Sequence, residues 1–190
     1  MKNFVRTLLC SLLLLAPCLS HAIYNEIGLS YGRKKTTFDA NNNYDSESAT
    51  ASWSLYFAEQ VALELSYTEA TGISKQQATP VDLVRVIYQK TQIAGADLIL
   101  ILADRKAMFQ PFLKGGMAYL VRKQEIKDGT METQTLPIDV AYVPNYGLGM
   151  KVELTESFGL KIAYSVWQTP IGGGAKTNDD SLSAGVTWRF

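Results

Sequence analysis

Ser181-Leu182-Ser183-Ala184-Gly185-Val186-Thr187-Trp188-Arg189-Phe190 alternates strictly: Leu182, Ala184, Val186, Trp188 and Phe190 share one face, and Ser181, Ser183, Gly185, Thr187 and Arg189 share the other. A period of two marks an extended strand with one apolar and one polar side. The same pattern recurs upstream. Leu148, Met150, Val152 and Leu154 alternate with Gly147, Gly149, Lys151 and Glu153; Thr155-Glu156-Ser157 then turns the chain into Phe158, Leu160, Ile162, Tyr164 and Val166, offset by Gly159, Lys161, Ala163 and Ser165. Ala51, Trp53, Leu55 and Phe57 stand against Thr50, Ser52, Ser54 and Tyr56; after Ala58-Glu59-Gln60, Val61, Leu63, Leu65 and Tyr67 stand against Ala62, Glu64, Ser66 and Thr68. Each short turn between two such runs makes a hairpin.

A third turn, near Ala103 to Ala107, joins the weaker run Asp97 to Leu102 to Pro111, Leu113, Gly115, Met117, Tyr119 and Val121, and Ile27, Leu29 and Tyr31 supply the opening strand. The sequence therefore predicts eight strands, three short turns, and four longer polar segments near Arg33 to Ser46, Ala70 to Tyr88, Arg122 to Pro137 and Gln168 to Asp180. Short turns alternating with long loops suit an all-β fold: an eight-stranded antiparallel up-and-down transmembrane β-barrel, with periplasmic turns kept short and extracellular loops longer.

Length and composition agree. The 190 residues are 47% hydrophobic and 19% charged, which excludes a disordered chain. Past the start, no apolar run approaches the roughly 20 residues of a spanning helix, so a membrane role requires strands. At the start, Lys2 and Arg6 precede the apolar stretch Leu8 to Leu19 and then Ser20-His21-Ala22, the form of a signal peptide with small residues at minus three and minus one. This predicts a cleaved signal peptide over 1–22 and one barrel domain over 23–190. The other readings are an uncleaved anchor, against which the core is short and broken by Pro17, and a lipoprotein acylated at Cys18, against which Pro17 stands just before the cysteine. Cleavage removes Cys10, Cys18 and His21, the only cysteines and the only histidine. What remains has no thiolate or imidazole for a catalytic triad or an ordinary zinc site, so no enzyme activity, metal or cofactor is expected. The leader holds two of the 18 bases and none of the 18 acids, leaving a net charge of minus two, and nucleic acid is not an expected partner.

Periodicity does not say which face is inside, since a soluble lipocalin-like barrel alternates too. The aromatics do. Phe57, Phe109, Phe158 and Phe190 fall at the short-turn ends, and Tyr31, Tyr67, Tyr119 and Tyr146 toward the long-loop ends. Phe109 and Tyr119 stand ten positions apart; at about 3.3 Å per residue and a tilt near 40 degrees this is roughly 25 Å, the height of an apolar membrane band. The polar face carries Glu26, Glu64, Asp97, Lys114, Lys151, Glu153, Lys161 and Arg189 and must then form the interior, where each charge needs a counter-charge. Glu64, Asp97, Lys114, Lys151 and Lys161 are the expected lumen charge network. Eight strands leave a lumen that side chains fill.

The final strand, ending Trp188-Arg189-Phe190, is similar to the C-terminal signal that outer-membrane barrels present to their assembly machinery, with Trp188 and Phe190 as its apolar residues. The segments Gln110 to Tyr119 and Leu154 to Leu160 resemble the small OmpA/OmpX-like eight-stranded outer-membrane β-barrel protein family. That resemblance implies residence in a Gram-negative outer membrane, contact with its lipid and lipopolysaccharide, and assembly from the periplasm. The family includes anchors, surface-interaction proteins and enzymes, so no single activity follows. Two features depart from the pattern. Pro111 and Pro144 lie inside strands, where a bulge or a strand end is expected. Val81 to Lys90 either extends the fourth strand or forms a lid.

Three motifs have plainer explanations. Gly172-Gly173-Gly174-Ala175-Lys176-Thr177 lacks the strand-to-helix setting of a phosphate loop. Asn41 to Glu47 lacks calcium-loop spacing and is an exposed polar turn. Glu64 and Asp97 form ion pairs with lysines more simply than they form a catalytic dyad. The leading functional expectation is a non-enzymatic anchor, monomeric, whose loops meet lipopolysaccharide, cells or host molecules. The others are a narrow gated pore or small-molecule transporter, suggested by inward Gly147, Gly149 and Gly159, and a lipid-modifying barrel enzyme, disfavoured by the absence of a mature histidine.

Overall fold

A computed structural model describes residues 24–37, 43–76, 85–127, 133–135, 139–170 and 176–190. The leader 1–22, most of Gly172 to Thr177, the start of Asn41 to Glu47 and the first part of Val81 to Lys90 lie outside the described residues. The strands are β1 (Tyr24–Thr37), β2 (Asn43–Ala58), β3 (Val61–Gln76), β4 (Arg85–Ile101), β5 (Phe109–Lys127), β6 (Thr133–Thr135), β7 (Asp139–Glu153), β8 (Phe158–Pro170) and β9 (Lys176–Arg189). The short β6 lies in line with β7 along the same edge of β5, so these segments make eight staves. All pairings are antiparallel, and β1 against β9 closes the cylinder. Among the described residues there is no helix.

The geometry of closure follows from the register. Partners run from Glu26 through Ser54, Glu64, Asp97, Gly116, Asn145 and Trp167 to Asp179 on β9. Glu26 itself pairs on β9 with Arg189, ten residues from Asp179. That offset is the barrel's shear, and with eight strands it sets a tilt of about 40°.

The apolar face points out. Leu63, Leu148 and Leu160 are exposed, Leu148 by 56%, while Glu64 is 1% exposed and Asp97 0%. Phe109, Phe158 and Phe190 ring the short-turn end of the outer surface. Phe57 is only partly exposed and lies at a register shift between Tyr56 and Ala58. Tyr31, Tyr67, Tyr119 and Tyr146 form the upper ring, joined by Tyr142, whose ring tilts against Tyr119 at 5.1 Å.

Neither proline makes a bulge; each ends a ladder on one side. Leu102 N donates to Pro111 O at 2.8 Å, and the β4–β5 ladder stops at the next rung, Ile101–Phe112, because Pro111 has no N–H to return. Glu153 N donates to Met108 O, so odd residues of β7 face β5 and even ones, Pro144 included, face β8. The β7–β8 ladder ends at Asn145–Trp167, one step before Pro144, while β7 goes on pairing with β5 as far as Asp139.

The four segments expected as loops are largely strand. β1 runs to Thr37, β3 to Gln76 and β5 to Lys127, and β4 begins at Arg85, so the described part of Val81 to Lys90 extends the fourth strand. Above the lipid both faces of the sheet meet water, so the ladder persists while the apolar alternation that would betray it does not.

Candidate functional site

The inward residues of all eight staves converge on the axis, and their ion pairs fall into two tiers. In the lower tier Lys151 Nζ lies 2.6 Å from Glu26 and 3.3 Å from Glu153, and Arg189 lies 2.6 Å from Glu153 and 3.8 Å from Glu26. Lys151 also donates to the Tyr56 hydroxyl at 3.0 Å. The Tyr56 ring stacks on Tyr24 at 4.1 Å, and the guanidiniums of Arg105, from the β4–β5 turn, and of Arg189 each lie 4.5 Å from the Tyr24 ring centre. Gln110 secures that turn by donating to the carbonyls of Arg105 and Ala107. The short-turn end is therefore closed by stacked rings and cations.

In the middle tier Glu64 accepts from Lys161 at 2.5 Å and lies 3.6 Å from Lys114, which lies 3.5 Å from Asp97. Asn145 Nδ2 donates to both Asp97 oxygens, at 2.8 and 3.1 Å, and Ser54 donates to Glu64 at 3.4 Å. Across both tiers, four carboxylates (Glu26, Glu64, Asp97, Glu153) meet four cations (Lys114, Lys151, Lys161, Arg189). A buried charge without a partner costs several kcal/mol, and this balance removes that cost without making the pairs a large net source of stability.

Of the five residues expected to share one network, Glu64, Asp97, Lys114 and Lys161 stand together, and Lys151 stands below them with Glu26. Lys151 and Lys161 are cross-strand partners, a like-charge pairing made tolerable because each turns to its own acid. Sequence reasoning placed Glu26, Glu153 and Arg189 on the inner face but missed their cluster; it also missed Asn145 and the Tyr24–Tyr56 stack, which no period marks.

The inward glycines do not open the lumen. A Cβ on Gly149 would lie 2.4 Å from the Phe112 ring, and one on Gly116 would lie 2.0 Å from Ala96 O and 2.6 Å from Asp97 Oδ1. These positions admit a neighbour's ring or carboxylate rather than leave a channel.

Above Glu64, Lys114 and Lys161 lies a cavity of about 80 Å³, walled by hydroxyls that include Ser30, Thr50, Ser52, Ser66, Thr68 and Ser183. Asn145 Oδ1 belongs to the same wall and has no partner among the described residues. Higher still, Ile93, Ala118, Leu120 and Val143 form an apolar plug against which Trp167 packs. Arg122 bonds Asp179 at 3.3 Å, and Lys34 pairs with Asp180. Outside, above the tyrosines, Arg33 donates to Asp45 at 2.9 Å and Lys90 to Glu69, each bond raising its cation's pKa above the ordinary value.

Among known families, the one described as "Outer membrane protein beta-barrel domain" matches residues 7–190. The N-terminal β-barrel domain of Pseudomonas aeruginosa OprF is similar in structure, with a TM-score of 0.58 at 16% identity over 89% of this chain and 100% of that one. Neisserial surface protein A gives 0.56 at 15% over 88% and 97%. Ail of Yersinia pestis, solved in complex with the heparin analogue sucrose octasulfate, gives 0.52 at 14% over 88% and 97%. No curated protein matches in sequence. At these identities the likeness to solved structures shows the fold alone.

Proposed function

The chain belongs to the outer-membrane-protein β-barrel family, a bacterial outer-membrane barrel, and from that premise we propose that it is a non-enzymatic anchor holding an extracellular sheet and its loops against lipopolysaccharide, cells or host molecules. The observation that carries this reading is the filled lumen: two ion-paired tiers below and an apolar plug with Trp167 above. In this reading such a stack stops water and ions from passing along the axis. In support, Ail, a protein of the same fold, was crystallised with a polyanion.

The leader 1–22 is removed on export in this reading, taking His21 and both cysteines with it. Trp188 and Phe190, both exposed at the lower rim, are what the assembly machinery grips. The protein works as a monomer. Planar-bilayer recording tests the anchor: the refolded protein gives no steady conductance, and regular large openings reject the proposal.

A second reading, a narrow gated pore or small-molecule transporter, draws on the hydroxyl-lined cavity directly above the Glu64–Lys161 pair. It predicts that Lys161→Gln changes ion selectivity in the same recording, and a silent K161Q bilayer removes it. Among the described residues no arrangement in the lumen favours the lipid-modifying enzyme.

A further inference from the structure

The β1–β9 ladder is the shortest closure between staves, running only from Asn25–Phe190, which exchange both backbone bonds, to Gly32–Ser183. Both strands continue upward, β1 to Thr37 against β2 and β9 back to Lys176 against β8, but no longer against each other. The seam opens at the height of the tyrosine ring, since Tyr31 and Ala184 pair one rung below its end. An unpaired strand edge at the margin of the hydrocarbon is tolerated only where its polar groups find a partner.

Two hollows flank this wall. The hydroxyl-lined cavity lies inside it, and outside lies a groove formed by Tyr31, Ala49, Ala51, Tyr67 and Ala184 with Glu69 at its edge. Leu29, Ser30 and Val186 border both because they belong to the paired wall between them, and the cavity reaches the end of that ladder at Ser181 and Ser183. Inside the seam the Lys34–Asp180 pair spans the two strands, and it is partly exposed on both sides, so little holds it shut. Asn145, a residue 9% exposed whose Oδ1 has no partner among the described residues, lines the same cavity.

We propose that the β1–β9 seam admits a single-chain amphiphile from the outer leaflet, its small polar head among the cavity hydroxyls and its chain along the groove. About 80 Å³ holds a few waters, enough for a carboxyl- or hydroxyl-sized head and too little for a phosphorylated sugar. The outer groove is lined by alanines between Tyr31 and Tyr67, a surface that takes one acyl chain. This assignment stands apart from the anchor reading, because a barrel that conducts nothing along its axis can still take a ligand from the side.

The chain has three tryptophans, of which Trp53 and Trp188 are exposed on the outer wall and Trp167 borders the cavity. In a W53F/W188F variant of the membrane-inserted protein, 2-bromododecanoic acid, whose bromine sits beside the carboxyl head, is expected to quench Trp167 saturably, with most of its emission lost. A phospholipid brominated on its chains, whose head does not fit, leaves that emission unchanged. Ser183→Phe, which fills the cavity at the seam, abolishes the quenching, and an oxidised R33C/L182C bridge does the same until reductant is added. The proposal is overturned if the fatty acid leaves Trp167 bright at concentrations that quench a W167F/W188F control, or if S183F changes nothing. A covalent dimer in place of the internal bridge also overturns it, as that outcome assigns the seam to a second copy.

Discussion

Below the tyrosine ring every stave pairs with two neighbours and every inward charge has an opposite; above it, the ladders on both sides of the β8–β9 hairpin stop, at Gly32–Ser183 and at Asn145–Trp167. The same backbone is under two regimes. In hydrocarbon an unmade hydrogen bond or lone charge has no water to fall back on, so closure and pairing are compulsory. In water both become optional, and the hairpin is held by Lys34–Asp180, Arg122–Asp179 and the packing of Trp167.

The contrast sets an order of mutational effects. Glu64→Gln leaves Lys161 and half of Lys114's attraction uncompensated and should cost about 3–5 kcal/mol in urea unfolding from bilayers. The double variant E64Q/K161Q restores the balance, with Lys114 left on Asp97, and should recover most of that loss; an additive double would break the two-tier account. On the outer wall, Leu148→Arg should cost about 2–4 kcal/mol, because a charge then faces the membrane interior. Gly116→Ala drives a methyl into Ala96 O and the Asp97 carboxylate and should cost about 1–3 kcal/mol, with Asp97 displaced from Asn145. Above the ring, Lys34→Ala should cost at most about 1 kcal/mol and lose its effect in high salt. If K34A proved as costly as E64Q, the two regions would not differ as described.

Legibility in the sequence follows the same divide. Where lipid imposes one apolar face, alternation such as that at Gly147 to Val166 and Ser181 to Phe190 marked the strands and put the lumen charges on one face, and the two aromatic rings marked that face as the inner one. The grouping of those charges was hidden. Which acid meets Lys151 depends on the ten-residue shear, which sets Lys151 level with Glu26 and below Glu64, and no local pattern encodes a shear. Above the ring, residues such as Arg33 to Thr37 and Arg85 to Lys90 pair through backbone groups that every residue carries, so their strands left no trace in composition. Pro144 was visible as an anomaly, but only parity along β7 tells which of its two ladders it ends.

Sidedness is the claim on which the rest depends, and nitroxide labels placed one at a time from Gly159 to Ser165 in bilayers measure it most directly. Oxygen accessibility should rise and fall with a period of two, with maxima at Leu160, Ile162 and Tyr164. Maxima at Lys161, Ala163 and Ser165 would contradict the account.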